Sequence, residues 1–128
     1  MLFRSQLKKG GWAEVVFVAG DRPGRLKWYE WTGTDWTSHD LLGFDVNHAH
    51  SLAIGDIDGD GNLDIFCAEM AKWSTNAPAP DNPNARMWIF FGDGRGNFET
   101  VEFRGGIENH DSKLARSEER RVGKECRL

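Results

Sequence analysis

What this chain lacks narrows its identity first. No apolar run approaches the ~18 residues of a membrane-spanning helix, so membrane insertion is not expected. No basic stretch leads into an apolar core near the start, so no secretory leader is visible in these residues. Positive charge is not in excess. Sixteen Lys and Arg stand against 20 Asp and Glu, a net charge of −4, which argues against nucleic acid as a partner. Cysteine is scarce, at Cys67 and Cys126 only. Helical periodicity is almost absent. What is plentiful is glycine, 15 of 128 residues, and aromatic side chains at 12%, six of them Trp. That pairing predicts many short strands joined by tight turns.

The C-terminus differs from the body. Residues 116–128, RSEERRVGKECRL, hold five basic and three acidic residues, which leaves the body at a net of −6. The string resembles an in-frame translation of a sequencing adapter, so it is set apart from the fold as a non-native tail. Cys126 leaves with it. The remaining Cys67 lies mid-strand and reads as a buried small apolar residue rather than a nucleophile. A lone thiol forms no disulfide within the chain, so cysteine does not decide the compartment.

Seven apolar runs bounded by Gly, Asp, Asn and Pro read as strands: 14–19, 26–31, 36–42, 51–55, 63–69, 87–91 and 98–103. The turns DRPG (21–24), TGTD (32–35) and GDGRGN (92–97) supply the glycines that hairpins need. Spacing repeats along the body. Trp28 and Trp88 lie 60 apart, as do His50 and His110, and Glu14 matches Asp64 at a shift of 50. A period of this size, with four strands per unit, predicts propeller blades. The alternative is a chance match within a Trp-rich sandwich. The tryptophans at 12, 28, 31, 36 and 88 are expected to pack between blades.

The densest chemistry is the loop Asp56-Ile-Asp58-Gly-Asp60-Gly61-Asn62-Leu-Asp64. Four carboxylates at positions 1, 3, 5 and 9 converge on one point when the backbone curls. A hard divalent cation wants six to eight oxygens at roughly 2.3–2.6 Å. Gly61 permits the sharp turn and the Asn62 carbonyl is a further oxygen. A helical calcium loop would place Glu at position 12 between amphipathic helices; here position 12 is Cys67 within strand-like sequence. The cation would then clip a strand hairpin. At a tenfold excess over its dissociation constant it would stabilise the fold by about 1.4 kcal/mol.

SLAIGDIDGDGNLDIF followed by MWIFFGDGRGNF resembles the FG-GAP, or VCBS-type, repeat of integrin-α-like β-propellers and secreted bacterial proteins, over about residues 12–115. The resemblance implies an all-β partial β-propeller, about one complete four-stranded blade plus parts of two neighbours. A remnant at 1–11 would precede a diverged blade at 12–42, a calcium blade at 50–104 and the start of the next at 105–115. It implies calcium as the cofactor, held by Asp56, Asp58, Asp60, the Asn62 main chain and Asp64. In the first unit Gln6, Lys8 and Gly10 stand where Asp56, Asp58 and Asp60 do, so that unit should bind no metal. Six residues beyond His110, where the next acidic loop should open, stands Arg116, the first residue of the adapter-like string.

In an up-and-down blade the calcium loop marks one end. The other end gathers His48, His50, Trp73 and His110, with Lys72 and Arg86, on loops where binding residues concentrate. A carbohydrate or protein ligand there, with Trp73 as a stacking platform, is one reading; histidines capping strand ends beside a Pro-rich loop is the other. His48 and His50 lack a third ligand of suitable spacing for a metal. The functional expectation is a calcium-binding propeller segment of an extracellular, cell-surface or periplasmic protein, acting as a binding or adhesion scaffold beside the remaining blades. The alternative is a propeller part of a carbohydrate-active lyase or hydrolase. No Ser-His-Asp or Cys-His arrangement has supporting context.

Overall fold

A computed structural model describes residues 2–104 together with 114 and 115. Eight strands run in chain order: β1 (Leu2–Ser5), β2 (Glu14–Phe17), β3 (Pro23–Trp31), β4 (Trp36–Asn47), β5 (Ser51–Gly55), β6 (Asp64–Ala68), β7 (Arg86–Gly92) and β8 (Phe98–Arg104). They form two four-stranded antiparallel sheets, β1-β2-β3-β4 and β5-β6-β7-β8. Each is an up-and-down unit of the kind propellers repeat. The protein is all-β, in the manner of a partial β-propeller. Among the described residues no helix is long and apolar enough to cross a membrane.

The first sheet is fuller than expected. Leu2–Ser5, read as part of a remnant, pairs with β2 from Leu2↔Phe17 to Ser5↔Glu14 and completes four strands. β4 also continues beyond residue 42 to Asn47. A register shift between Arg25 and Lys27, with Gly43 at φ 77°, lets β3 and β4 pair again from Arg25↔Asp45 to Pro23↔Asn47. The expected further unit at 105–115 and the tail at 116–128 lie outside the described residues, apart from 114 and 115.

The two sheets superpose strand for strand in their pairing. Ser5↔Glu14 closes β1–β2 as Gly55↔Asp64 closes β5–β6, and Trp31↔Trp36 ends one hairpin as Gly92↔Phe98 ends the other. Trp28 and Trp88 do not share a position. Trp28 pairs with Val16, two residues beyond Glu14, whereas Trp88 pairs with Cys67, three beyond Asp64. Strand side chains alternate faces, so the equivalent of Trp28 is Ile89. The 60-residue spacing of the two tryptophans is thus one short of the structural repeat in that strand.

Both tryptophans are nevertheless buried in one core, reached from opposite sides. Val16, Val18, Leu26 and Trp28 of the first sheet meet Ile65, Cys67, Trp88 and Phe90 of the second. Trp28 lies edge-on to Phe98 at 6.0 Å between centroids, and Phe44 sits 6.3 Å from Trp88. Such aromatic pairs add about 0.5–1.5 kcal/mol beyond area burial. Trp12 and Trp36, expected between blades, are instead 64% and 54% exposed, on the first sheet's outer side with Trp31.

Candidate metal centre

The acidic loop joins the last residue of β5, Gly55, to the first of β6, Asp64. Asp56 folds the loop over its own side chain. Its Oδ1 accepts the amides of Gly59 (2.9 Å) and Asp60 (3.1 Å), and its Oδ2 that of Gly61 (2.9 Å). Gly59 and Gly61 have φ of 77° and 89°, in the left-handed region that favours glycine. Asp64 is fully buried. Its Oδ2 accepts the amides of Ile57 (2.7 Å) and Asp58 (3.4 Å), and its Oδ1 accepts Gly92 N (2.9 Å) from the next hairpin. A buried carboxylate is tolerable only when its lone pairs are satisfied in this way.

Carboxylate oxygens of Asp56, Asp58 and Asp64 come within 4.8 Å of one another. Two oxygens each about 2.4 Å from one ion are at most about 4.8 Å apart, so this spread fits a cation of calcium's size. The donor set is oxygen alone, which suits a hard ion. Loss of hydration pushes the Asp58 carboxyl up from the ordinary range, and the negative charge of Asp64 adds to it. Asp60 stands outside the trio. Its Oδ1 accepts Asn62 N (2.9 Å) and its Oδ2 accepts Asn62 Nδ2 (3.3 Å); these bonds hold its carboxyl below the ordinary range, the Asn62 amide being the largest cause. Asn62 Oδ1 lies where a Cβ on Gly94 would come within 2.6 Å, so the loop nests against the β7–β8 turn.

The corresponding loop of the first sheet keeps the shape and drops the acids. Glu14 Oε1 accepts Lys8 N at 3.0 Å, as Asp64 accepts Asp58 N. Gln6 donates to Gly11 O at 3.1 Å, where Asp56 accepts from Gly61 N. The Lys8 ammonium, at the position of Asp58, pairs with Glu30. This loop supplies its own positive charge.

Residues 11–67 match the family model of the FG-GAP-like repeat. Over this stretch the chain is similar to FG-GAP-type repeats. The match is shorter than the 12–115 that the resemblance covers. It runs from Gly11 in the first sheet's β1–β2 loop to Cys67, the last residue but one of β6, and takes in the whole acidic loop. No curated protein and no solved structure matches the chain.

At the other end of the sheets, His48 and Trp73 stack with centroids 3.8 Å apart and planes within 4°. His48 has φ 52°, and its Nδ1 lies 2.7 Å from Asn47 Oδ1. His50 does not join them; its Nε2 faces Asp21 Oδ1 at 3.4 Å. His110 lies outside the described residues. The Trp73 loop is held by Asp81, whose Oδ2 accepts the amides of Trp73 (2.7 Å) and Ser74 (2.9 Å). The backbone bonds from Ser74 and Trp73 bring the Asp81 carboxyl down to about 2.

Glu69 escaped the sequence reading. It is 1% exposed and ties four segments together. Its Oε2 accepts Asn47 N (2.8 Å) and Arg86 Nη2 (2.9 Å); its Oε1 accepts Arg86 N (3.0 Å) and Asn82 Nδ2 (3.4 Å). The Arg86 guanidinium also lies about 5 Å above the rings of Phe44 and Trp88. Asn47, Glu69, Asn82, Asn84 and Arg86 line an open cleft of about 490 Å³. Glu69 and Arg86 are 17 residues apart, across a loop of no regular spacing, so no motif announces the pair.

Proposed function

We propose that this chain is a calcium-binding propeller segment of an extracellular or surface protein, acting as a scaffold for ligand binding or adhesion. The convergence of Asp56, Asp58 and Asp64 within 4.8 Å supports the metal. These three would hold the ion, with the Asn62 carbonyl and Asp60 reachable on the same loop. Calcium there would neutralise the crowded carboxylates and fix the β5–β6 connection. The FG-GAP-type match supports the extracellular setting, since such repeats occur in integrin-α-like and secreted proteins. The remaining blades of the same polypeptide are the natural neighbours of the two sheets.

The ligand face is the end with His48 and Trp73. An aromatic platform beside a cleft rich in side-chain amides suits a carbohydrate, whose ring stacks while its hydroxyls pair with Asn47, Asn84 and Arg86.

Isothermal titration of the full chain with calcium and with magnesium, together with melting in calcium and in chelator, tests the metal. Calcium-selective binding and a higher melting temperature in calcium are expected. Identical melting in both buffers, with no heat of binding, would sink the reading.

A further inference from the structure

The two loops at the metal end carry opposite charge. The β5–β6 connection brings the carboxylates of Asp56, Asp58, Asp60 and Asp64, and the β1–β2 connection brings the ammoniums of Lys8 and Lys9. The two lysines go different ways. Lys8 turns to Glu30 and is neutralised there. Lys9 is exposed and joins no ion pair among the described residues.

The backbone fixes where Lys9 reaches. Lys9 N donates to Gly94 O at 3.0 Å, and Lys8 bridges Arg95, so this loop is tied to the β7–β8 turn. From there the Lys9 side chain runs over Gly94 towards the acidic loop. A Cβ on Gly94 would lie 3.5 Å from Lys9 Cδ and 2.6 Å from Asn62 Oδ1. A Cβ on Gly61 would lie 3.9 Å from Lys9 Nζ. The ammonium of one repeat thus stands beside Gly61 of the other, the residue between Asp60 and Asn62.

This puts a cation near four carboxylates without touching any of them. Asp56, Asp58, Asp60 and Asp64 form no ion pair among the described residues. Charges at such range still act through water, over about 10 Å at 0.1 M salt and further at lower salt. A positive charge that attracts the carboxylates also repels a divalent cation arriving among them. We propose that Lys9 sets the calcium affinity of the neighbouring repeat, steadying the empty acidic loop and weakening the hold on the ion. The proposal rests on the calcium reading of that loop. Control passes across the repeats, from the loop that lacks the acids to the loop that has them.

Calorimetric titration of the full chain with calcium, comparing wild type, Lys9→Met and Lys9→Arg at low and high salt, tests the proposal. Both substitutions keep the backbone bond to Gly94. Lys9→Met should bind calcium about two- to fivefold more tightly than wild type at about 20 mM salt, and the difference should vanish towards about 0.5 M. Lys9→Arg keeps the charge and should bind like wild type. Melting in chelator is a second readout of opposite sign: Lys9→Met should melt below wild type without calcium, yet rise further when calcium is added. Equal affinity of Lys9→Met and wild type at low salt overturns the proposal and leaves the calcium reading standing. So does a gain in affinity that salt does not reduce, or one that Lys9→Arg shares. A wild type that binds no calcium overturns both. Should Lys9→Met fail to fold, Lys9→Gln carries the same comparison.

Discussion

Glu14 and Asp64 open the second strands of the two sheets, and each carboxylate accepts the amide of the residue six places before it. Asp64 also holds Ile57 and, across the hairpin, Gly92. Asp64→Ala leaves three amides without their acceptor, and Glu14→Ala leaves one. Unsatisfied groups of this kind cost about 1–3 kcal/mol each when buried, less where water reaches them. Urea denaturation should show Asp64→Ala destabilised by about 2–4 kcal/mol and Glu14→Ala by about 1–2 kcal/mol. Equal losses would show that the Ile57 and Gly92 ties carry nothing.

Asp58 separates metal binding from folding. Its side chain is exposed, and it accepts one long bond, from Asp60 N at 3.3 Å. In chelator Asp58→Asn should match the wild type within about 0.5 kcal/mol. In calcium it should lose most of the rise in melting temperature. A full rise in the variant would remove Asp58 from the ligand set.

The Glu69–Arg86 pair should be costly to break from one side. Arg86→Met strips two side-chain donors from a carboxylate that is 1% exposed. Removing one partner of a buried pair costs about 3–5 kcal/mol; Arg86 is partly exposed, so about 2–3 kcal/mol is expected. Adding Glu69→Gln should recover part of it, which a double-mutant cycle by urea denaturation would measure. Additive losses would mean the two side chains act independently.

Acid should release the Trp73 loop late. The folded Asp81 carboxyl lies at about 2, below the ordinary value of about 3.9 for the unfolded chain. Its contribution is complete above the unfolded value and is lost as pH falls through about 2. Amide shifts of Trp73 and Ser74, followed by NMR from about pH 5 downward, should move with a midpoint near 2, and Asp81→Asn should remove the transition. A midpoint at the ordinary aspartate value would show that the two amide bonds are weak in solution.

The sequence disclosed what local chemistry dictates. Ser51–Gly55 was legible to the residue because a histidine and a glycine-acid turn bracket a short apolar run. The acidic loop was legible because ligand spacing is itself local, and so was the loss of acids at Gln6, Lys8 and Gly10. β1 was not legible: four residues with no turn before them are a strand only because β2 pairs with them. Asp60 was read as a ligand from its alternation with Asp56 and Asp58; here the converging trio is Asp56, Asp58 and Asp64, and the oxygens of Asp60 accept from Asn62, a contact that spacing alone does not show. Trp88 was expected between blades and is buried there, but its spacing of 60 from Trp28 is one short of the strand repeat, and one residue reverses the side of a sheet.

The two 1–2 loops do not stand apart. Lys9 N donates to Gly94 O at 3.0 Å, and Lys8 bridges Arg95, so the charge-balanced loop of the first sheet rests on the hairpin that Asp64 anchors. Hydrogen bonds therefore run from Asp64 at the end of the acidic loop, through the β7–β8 hairpin, into the first sheet. The two repeats are joined there as a single cooperative unit, and they should melt in one transition rather than as separable modules.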